Sequence, residues 1–297
     1  MPSRSVSIVI PVYNDPVGIQ STLRSVSLLQ GFHNLSVFVV DNGSADHTRE
    51  VIQGYTEEYQ NIHLLVEDEI QGSYAARNVG IKHAENDIIA FLDADETIDN
   101  DWLETALDVM QSQNADYLGC DVELTLPADT LVGRYNIRTG FPVEQYLREE
   151  HYAPTCALVV RRDVFDDVGK FDARLISGGD REFGERVFEA GYTQEYAADA
   201  TVFHPARTSV KSLAKKNFRV GRGFTQKQRY YPDRFGRPGI PPTPTGPSDN
   251  DAEESPNSVF TRLAFFLLSV AMLVTRGLGY YYEFLFGTKR NLRAPTG

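Results

Sequence analysis

Asp93 and Asp95 stand on either side of one alanine, at the end of the apolar run in "IIAFLDADETID" (residues 88–99). Side chains alternate along an extended chain, so two acids spaced by one residue lean to the same side. Paired carboxylates offer oxygen ligands only, the donor set that suits Mg2+ or Mn2+. Ions of this kind use one or two carboxylates and complete their shell with water and phosphate oxygens. The pair therefore predicts a diphosphate ligand more than it predicts a metal alone. The plainer alternative is a strand end whose acids cap the following helix. Glu96 and Asp99 fit that alternative, as a surface acid and a helix cap.

The elements that must position these acids follow from the periodicity. "VSIVIPVY" (6–13), "LSVFVVD" (35–41), "NIHLLVED" (61–68) and "DIIAFLDAD" (87–95) are short, apolar and rich in β-branched residues, as buried strands are. Between them lie helical patterns at 18–31, stopped by Gly31, at 46–59, with Asp46 as N-cap, and at 73–84, with a fourth at 101–113. Strands alternating with single helices make a parallel sheet, and its ligands sit outside the carboxyl ends of the strands. That edge collects Tyr13–Asp15, Asp41–Gly43, Glu67–Glu69 and Asp93–Asp95. So many acids on one edge repel one another unless a cation or a donor-rich ligand sits among them. Beyond residue 113 the pattern turns mixed. A strand is expected at 114–126, a strand and short helix within 152–171, a helix at 178–192 opened by Asp180, and a strand at 195–204 ending in His204.

Composition sets the remaining bounds. The 297 residues carry a net charge of −12, which argues against nucleic acid as a partner. Lys occurs only seven times, and acid excess with little Lys is the composition of a protein adapted to high salt. Cys120 and Cys156 sit in apolar surroundings and have no metal or disulfide spacing, so both are expected as free core thiols. "SVSIVIPVYND" has a short apolar run that ends in Asn14 and Asp15 rather than a small-residue cleavage site, so no secretory signal is expected and a cytoplasmic location is.

Taken together, "VSIVIPVYND", "VVDNGSADHT", "GSYAARNVGI" and "IIAFLDAD" resemble the nucleotide-sugar-binding half of family 2 glycosyltransferases, which have the GT-A fold. "VVRRDVFDDVGKFD" and "GGDREFGERVFEAGY" resemble the acceptor half, in the right order, so the likeness covers about 5–205. The resemblance implies a GT-A (Rossmann-like) α/β fold, with a mostly parallel mixed sheet flanked by helices. It implies that Pro11, Tyr13 and Asp15 line the nucleoside pocket and that Asp41 takes a base or ribose donor. Asn42 stands where the family often has a second acid. Gly72 and Arg77 would lie near the sugar diphosphate, Asp95 would bind the divalent cation, and Asp93 would contact ribose or the metal shell. Asp180 matches the family's catalytic base, with Gly179 where a Glu usually precedes it, and Glu182 is the residue that could fill the missing supporting role. Arg186 and His204 would approach acceptor, diphosphate or metal.

From His204 to Arg237 ten Lys and Arg face one acid, Asp233, and the stretch is expected to be helical as far as Tyr231. Such a cluster in an acidic protein suits a lipid phosphate or anionic membrane surface, and Arg219 and Arg222 lie in its centre, in "FRVGRGF". A Pro-rich, then acidic, linker (237–258) leads to the most apolar segment (259–290), where Arg262 and Arg276 bracket the run Leu263–Val274 and Tyr280–Tyr282 suit an interfacial belt. The expected layout is a catalytic domain over 1–205 (donor half 1–99, acceptor half 100–205), a basic helical segment (206–236), the linker, and the membrane-associating segment. The expected function is inverting, cation-dependent transfer of a sugar from a UDP- or GDP-sugar to a lipid-linked acceptor, at the cytoplasmic face of the cell membrane. The alternatives are an inert nucleotide-sugar-binding scaffold and a sugar nucleotidyltransferase. The second would need a Gly-rich basic loop, which "PVYNDPVG" lacks.

Overall fold

The computed structural model describes residues 5–29, 34–242 and 258–290, with 292, 294 and 295. Most of the linker, the Gly31 stop and Arg293 lie outside the described residues. The donor half runs β1 (Ser5–Val12), α1 (Pro16–Val26), β2 (Asn34–Asp41), α2 (Thr48–Glu58), β3 (Ile62–Val66), α3 (Ser73–His83), β4 (Ile88–Phe91), β5 (Thr97–Ile98) and α4 (Trp102–Ser112). There follow β6 (Tyr117–Thr125), α5 (Leu131–Arg138), α6 (Val143–Glu150), β7 (Leu158–Arg161), α7 (Arg162–Val168), α8 (Gly179–Glu189) and β8 (Gln194–Pro205). Three helices close the chain: α9 (Val210–Tyr230), α10 (Pro232–Phe235) and α11 (Val259–Phe286).

One eight-stranded sheet runs through both halves, in the order β3-β2-β1-β4-β7-β6-β8-β5. β1 pairs in parallel with β2 and β4, and β2 with β3, so four carboxyl ends share one edge. β7 is antiparallel to both β4 and β6, and β6 and β8 are parallel, which makes the sheet mixed as expected. Every residue of β1 is buried, because neighbours flank it on both sides and helices cover both faces. Beneath the strand-end edge the rings of Phe91, Phe165, Phe171 and Phe183 pack at 4.7–5.9 Å, tying β4 to α7 and α8. That contact fixes where the N-terminus of α8 sits relative to the end of β4.

Three local expectations are corrected. β4 ends at Phe91, so Asp93 and Asp95 lie in a turn rather than on an extended strand. Gly178, at φ +78°, is the N-cap of α8, and Asp180 lies in the first turn. A residue in this left-handed region favours glycine. α2 begins at Thr48 with His47 at the cap, and Asp46 accepts the Thr48 amide instead. The sequence reading assigned nothing to α5 and α6, each of eight residues.

α9 and α11 cross closely. A Cβ on Gly221 would stand 1.9 Å from the Arg276 carbonyl oxygen, and one on Gly279 would stand 2.1 Å from that of Phe218. α11 buries Met272, Gly279, Tyr280 and Glu283 on this side. Its other side exposes a continuous apolar surface that includes Phe266, Leu267, Leu273 and Leu285. α11 is long and apolar enough to cross a membrane.

Candidate active site

The loops after the parallel strands are stitched to one another. Asn42 donates to the carbonyls of Glu67 and Ile70 and accepts the Gly72 amide at 2.7 Å. Asn42 thus acts as the clamp of the 67–72 loop. Gly72, at φ +149°, turns that loop into α3. Asp41 is fully buried and receives Arg49 at 2.6 Å and the Ser44 amide. Asp15 caps α1 by accepting the Gly18 amide at 2.8 Å, while its own amide donates to Thr48. Pro11 is buried in β1 and pairs with Val40, and Tyr13 is exposed on the same edge.

Arg77 comes from α3, is almost fully buried, and pairs with Asp93, whose side chain is partly exposed. Asp93 also lies within 4.8 Å, donor atom to donor atom, of Glu96 and His204. Glu96 is the clearest correction at the site: it is fully buried, not a surface acid. Its carboxylate accepts the Asp93 amide at 2.6 Å and closes the turn. Burial raises its pKa well above the ordinary range, and Asp93 pushes the same way. Asp95 is raised too, first by burial; His204 opposes this, while Asp93 and Asp15 add to it. Asp99 is exposed, and Asp101 holds the cap position of α4.

His204 arrives at the end of β8, stacked on Phe141 at 5.7 Å. Its Nδ1 stands 3.0 Å from the Pro205 carbonyl, which can only accept. Nδ1 therefore donates to that carbonyl, which leaves Nε2 as the ring atom that could ligate a metal. Two carboxylates and one imidazole nitrogen make a set that fits a divalent cation such as Mn2+ or Mg2+. Asp95, the ligand the resemblance implied, is not one of the three whose ligand atoms lie within 4.8 Å of one another; it is near enough for His204 and Asp93 to act on its pKa.

Cations gather opposite the acids. Arg207 feels Asp95 and Asp93, and its pKa is lowered first by burial and then by Arg219. Lys216 lies over the Phe141 ring at 4.9 Å, and burial, with Arg207 and Arg219 beside it, pushes its ammonium down to about 8. Arg219 is exposed and near enough to Arg207, Lys216 and Tyr74 to act on their pKa values. Arg222 instead binds Glu283 at 2.8 Å and joins α9 to α11.

The base candidate Asp180 sits across α3 from Asp93. Its carboxylate receives the Tyr74 hydroxyl at 3.4 Å, and its neighbours include Lys227, buried beneath Gly178. Glu182 and Arg186 are not at this centre. Arg186 gives two hydrogen bonds to Glu182 and the rest to the carbonyls of Val168, Gly169 and Lys170. All five of its N–H groups are used, so none remains for a diphosphate. Glu182 is fully buried against Arg186 and offers Asp180 nothing. Sequence reasoning missed Tyr74, Glu96, Lys216 and Lys227. Only Gly179, a small residue where bulk was expected, hinted at the first.

A parallel half-sheet continued by antiparallel strands into one mixed sheet, with an acid–imidazole cluster at its strand ends and a carboxylate on a later helix facing it, is the arrangement of a GT-A-type fold. The model of the family described as Glycosyl transferase family 2 matches residues 7–169, and the chain belongs to that family. It is a sugar-transferring enzyme. It is 42% identical to glycosyltransferase AglE of Haloferax volcanii over 223 residues, covering 74% of this chain and 73% of the relative. It is 32% identical to the pre-mycofactocin glycosyltransferase of Mycobacterium tuberculosis over 228 residues, 73% of this chain but 46% of that protein. A mannosyltransferase of Pyrobaculum calidifontis, solved with GDP-Man and Mn2+, superposes with a TM-score of 0.59 at 18% identity, covering 95% of this chain and 76% of that one. S. aureus TarS 1-349 with UDP-GlcNAc gives 0.54 at 17% identity over 77% and 74%. At such identities the two structures support the shared fold.

Proposed function

We propose that this enzyme moves a hexose from a UDP- or GDP-sugar to a lipid-linked acceptor, either a polyprenyl or dolichyl phosphate or a glycan growing on one. The observation that carries the reading is the placement of α3. Tyr74 and Arg77 lie one helical turn apart and share a face, and the first touches Asp180 while the second touches Asp93. The acceptor side and the diphosphate side thus meet along one turn of helix.

In this reading the nucleoside lies over Pro11, Tyr13, Asp15 and Asp41, and the diphosphate lies between the Asp93 turn and Arg219, near Gly72. Asp93, Asp95, Glu96 and His204 would hold a divalent cation, which when bound neutralises the charge that builds on the leaving diphosphate. Asp180 takes the proton from the acceptor hydroxyl as its oxygen forms a bond to the anomeric carbon. The bond from that carbon to the diphosphate breaks on the opposite face, which inverts the configuration. Arg77 holds Asp93 in place.

The exposed apolar side of α11 would lie in the cytoplasmic face of the cell membrane. Arg276 bonds Asn217 and Glu283 bonds Arg222 and Gln226, so the other side stays on α9, which favours a helix lying along the surface over one that spans. Unchanged co-sedimentation with anionic vesicles after Phe266→Glu with Leu267→Glu would sink this part.

The test of function is turnover. The chain is incubated with UDP- or GDP-sugars, Mn2+ and lipid extract, and nucleoside diphosphate and lipid product are measured for wild type and Asp180→Asn. A hydroxyl acceptor needs the base, so Asp180→Asn should abolish transfer. An ionised lipid phosphate needs none, and much of the rate would then survive. Absence of any nucleoside diphosphate release would favour the inert scaffold instead.

A further inference from the structure

The N-cap residue of α8 makes no side-chain cap of its own. Gly178 holds the N-cap position and has no side chain to offer the first amides. Those amides need acceptors, and a Ser, Thr, Asp or Asn at the cap would normally supply one. Here the acceptor comes from 105 residues away: the Tyr74 hydroxyl takes the Gly179 amide at 2.9 Å and the Asp180 amide at 3.4 Å.

A phenol oxygen has two lone pairs and one proton. Two amides use the acceptor capacity, and the proton is left to donate to Asp180 Oδ1 at 3.4 Å. The group is therefore fully used, and all three bonds go to two adjacent residues. Space for it is made by Gly179, where a Cβ would stand 2.8 Å from the Tyr74 ring. Tyr74 is itself held by Phe171 at 5.8 Å and lies under the Arg77 guanidinium. Its phenol is buried, which with the Asp180 charge raises its pKa, so it keeps the proton it donates.

We propose that Tyr74 is the positioning residue of the base: it caps α8 from α3 and orients the Asp180 carboxylate. The inference rests on reading Asp180 as the base. It also joins the two halves of the site, because the helix that carries Tyr74 carries Arg77. The groups that face Asp180 from other elements are Tyr74 on α3, Lys227 on α9, Tyr146 on α6, Tyr152 after it, and Tyr117 on β6; Arg181 follows it on α8. Of these, Tyr74 and Arg181 have a hydrogen bond with Asp180, and the Arg181 bond is from its amide.

The test is Tyr74→Phe in the full chain, assayed with the donor that gives nucleoside diphosphate release, lipid extract and Mn2+. A hydrogen bond to a charged carboxylate favours the charged form. If the hydrogen bond orients the base, its loss should move the acidic limb of kcat to higher pH. The maximal rate should fall about tenfold or more, while donor KM and binding of the free nucleoside diphosphate stay unchanged. An unmoved limb with an unchanged rate overturns the proposal. A fluorinated tyrosine at position 74 keeps the ring and donates more strongly, so it should move the limb to lower pH; no shift, or one upward, overturns the proposal even if Tyr74→Phe folds poorly. Asp180→Asn separates the two claims. If it stays active, the base reading has failed; if it is inactive while both Tyr74 variants match wild type, only the role of Tyr74 has failed.

Discussion

Arg77 on α3 and Asp93 in the turn after β4 form an ion pair whose cation is almost fully buried and whose anion still meets solvent. The pair holds one Asp93 oxygen, and an Asp93 oxygen also lies within 4.8 Å of ligand atoms of Glu96 and His204. Removing Arg77 frees the turn and removes a compensated buried charge. Arg77→Ala is expected to lower kcat/KM about a hundredfold or more, the range for breaking a buried hydrogen-bonded charge pair. Arg77→Lys is expected to recover little of it, because a point charge cannot reproduce a planar guanidinium. Steady-state kinetics of both variants decide this, and full activity in Arg77→Ala would refute it.

The acid–imidazole cluster predicts a requirement for divalent ion. Chelation with EDTA should abolish nucleoside diphosphate release, and Mn2+ or Mg2+ should restore it. His204→Ala should weaken the apparent metal affinity about 10–100-fold, the range seen when the setting of a metal site is disturbed. Titration of activity with MnCl2 reads this directly. Equal activity with and without EDTA would exclude the cation from the reaction.

The α9–α11 crossing can be tested by two glycines two residues apart. Gly279 has the Phe218 backbone at 2.1 Å from the place of a Cβ, whereas Gly277 has nothing within 4 Å. Gly279→Ala should force the helices apart and lower the melting midpoint by several degrees, as overpacking costs about 1–3 kcal/mol. Gly277→Ala should be neutral or raise it, since alanine gains about 1 kcal/mol over glycine in a helix. Equal effects would mean that the crossing is not as close as described.

Lys227 gives a pH-dependence of stability. It is almost fully buried, and burial, with Arg181 adding, pushes its ammonium down to about 8, against about 10.4 in an unfolded chain. Between those values the unfolded chain holds a proton that the folded chain has lost. Stability from this group therefore rises with pH over that window and is lowest below about 8. Lys227→Met should melt higher than wild type at pH 7, and the gap should close toward pH 10. A gap independent of pH would contradict the assignment. The expected cost is activity, since the ammonium lies beside Asp180.

Strand and helix order, the parallel half-sheet and the acid-bearing edge were legible because they are properties of short windows: a period of two or of 3.6 residues needs no tertiary contact to be seen. The same holds for Asp93, Asp95, Asp180 and His204, which stand at element ends where a ligand edge is expected. α5 and α6 were missed because each has eight residues, about two turns, too short a window to show a helical period; α6 buries only Val143 and Leu147. Packing alone decided the remainder. Glu96 looked like a surface acid because nothing local says that its turn folds inward. Glu182, Arg186 and Arg222 looked available because a sequence does not show which donors are already used. The Tyr74–Asp180 bond spans 106 residues, and the Arg222–Glu283 pair spans 61. Chain order determined which residues reach the edge of the sheet. Only the tertiary structure, through the partners each buried polar group must find, decided which of them remain free for chemistry.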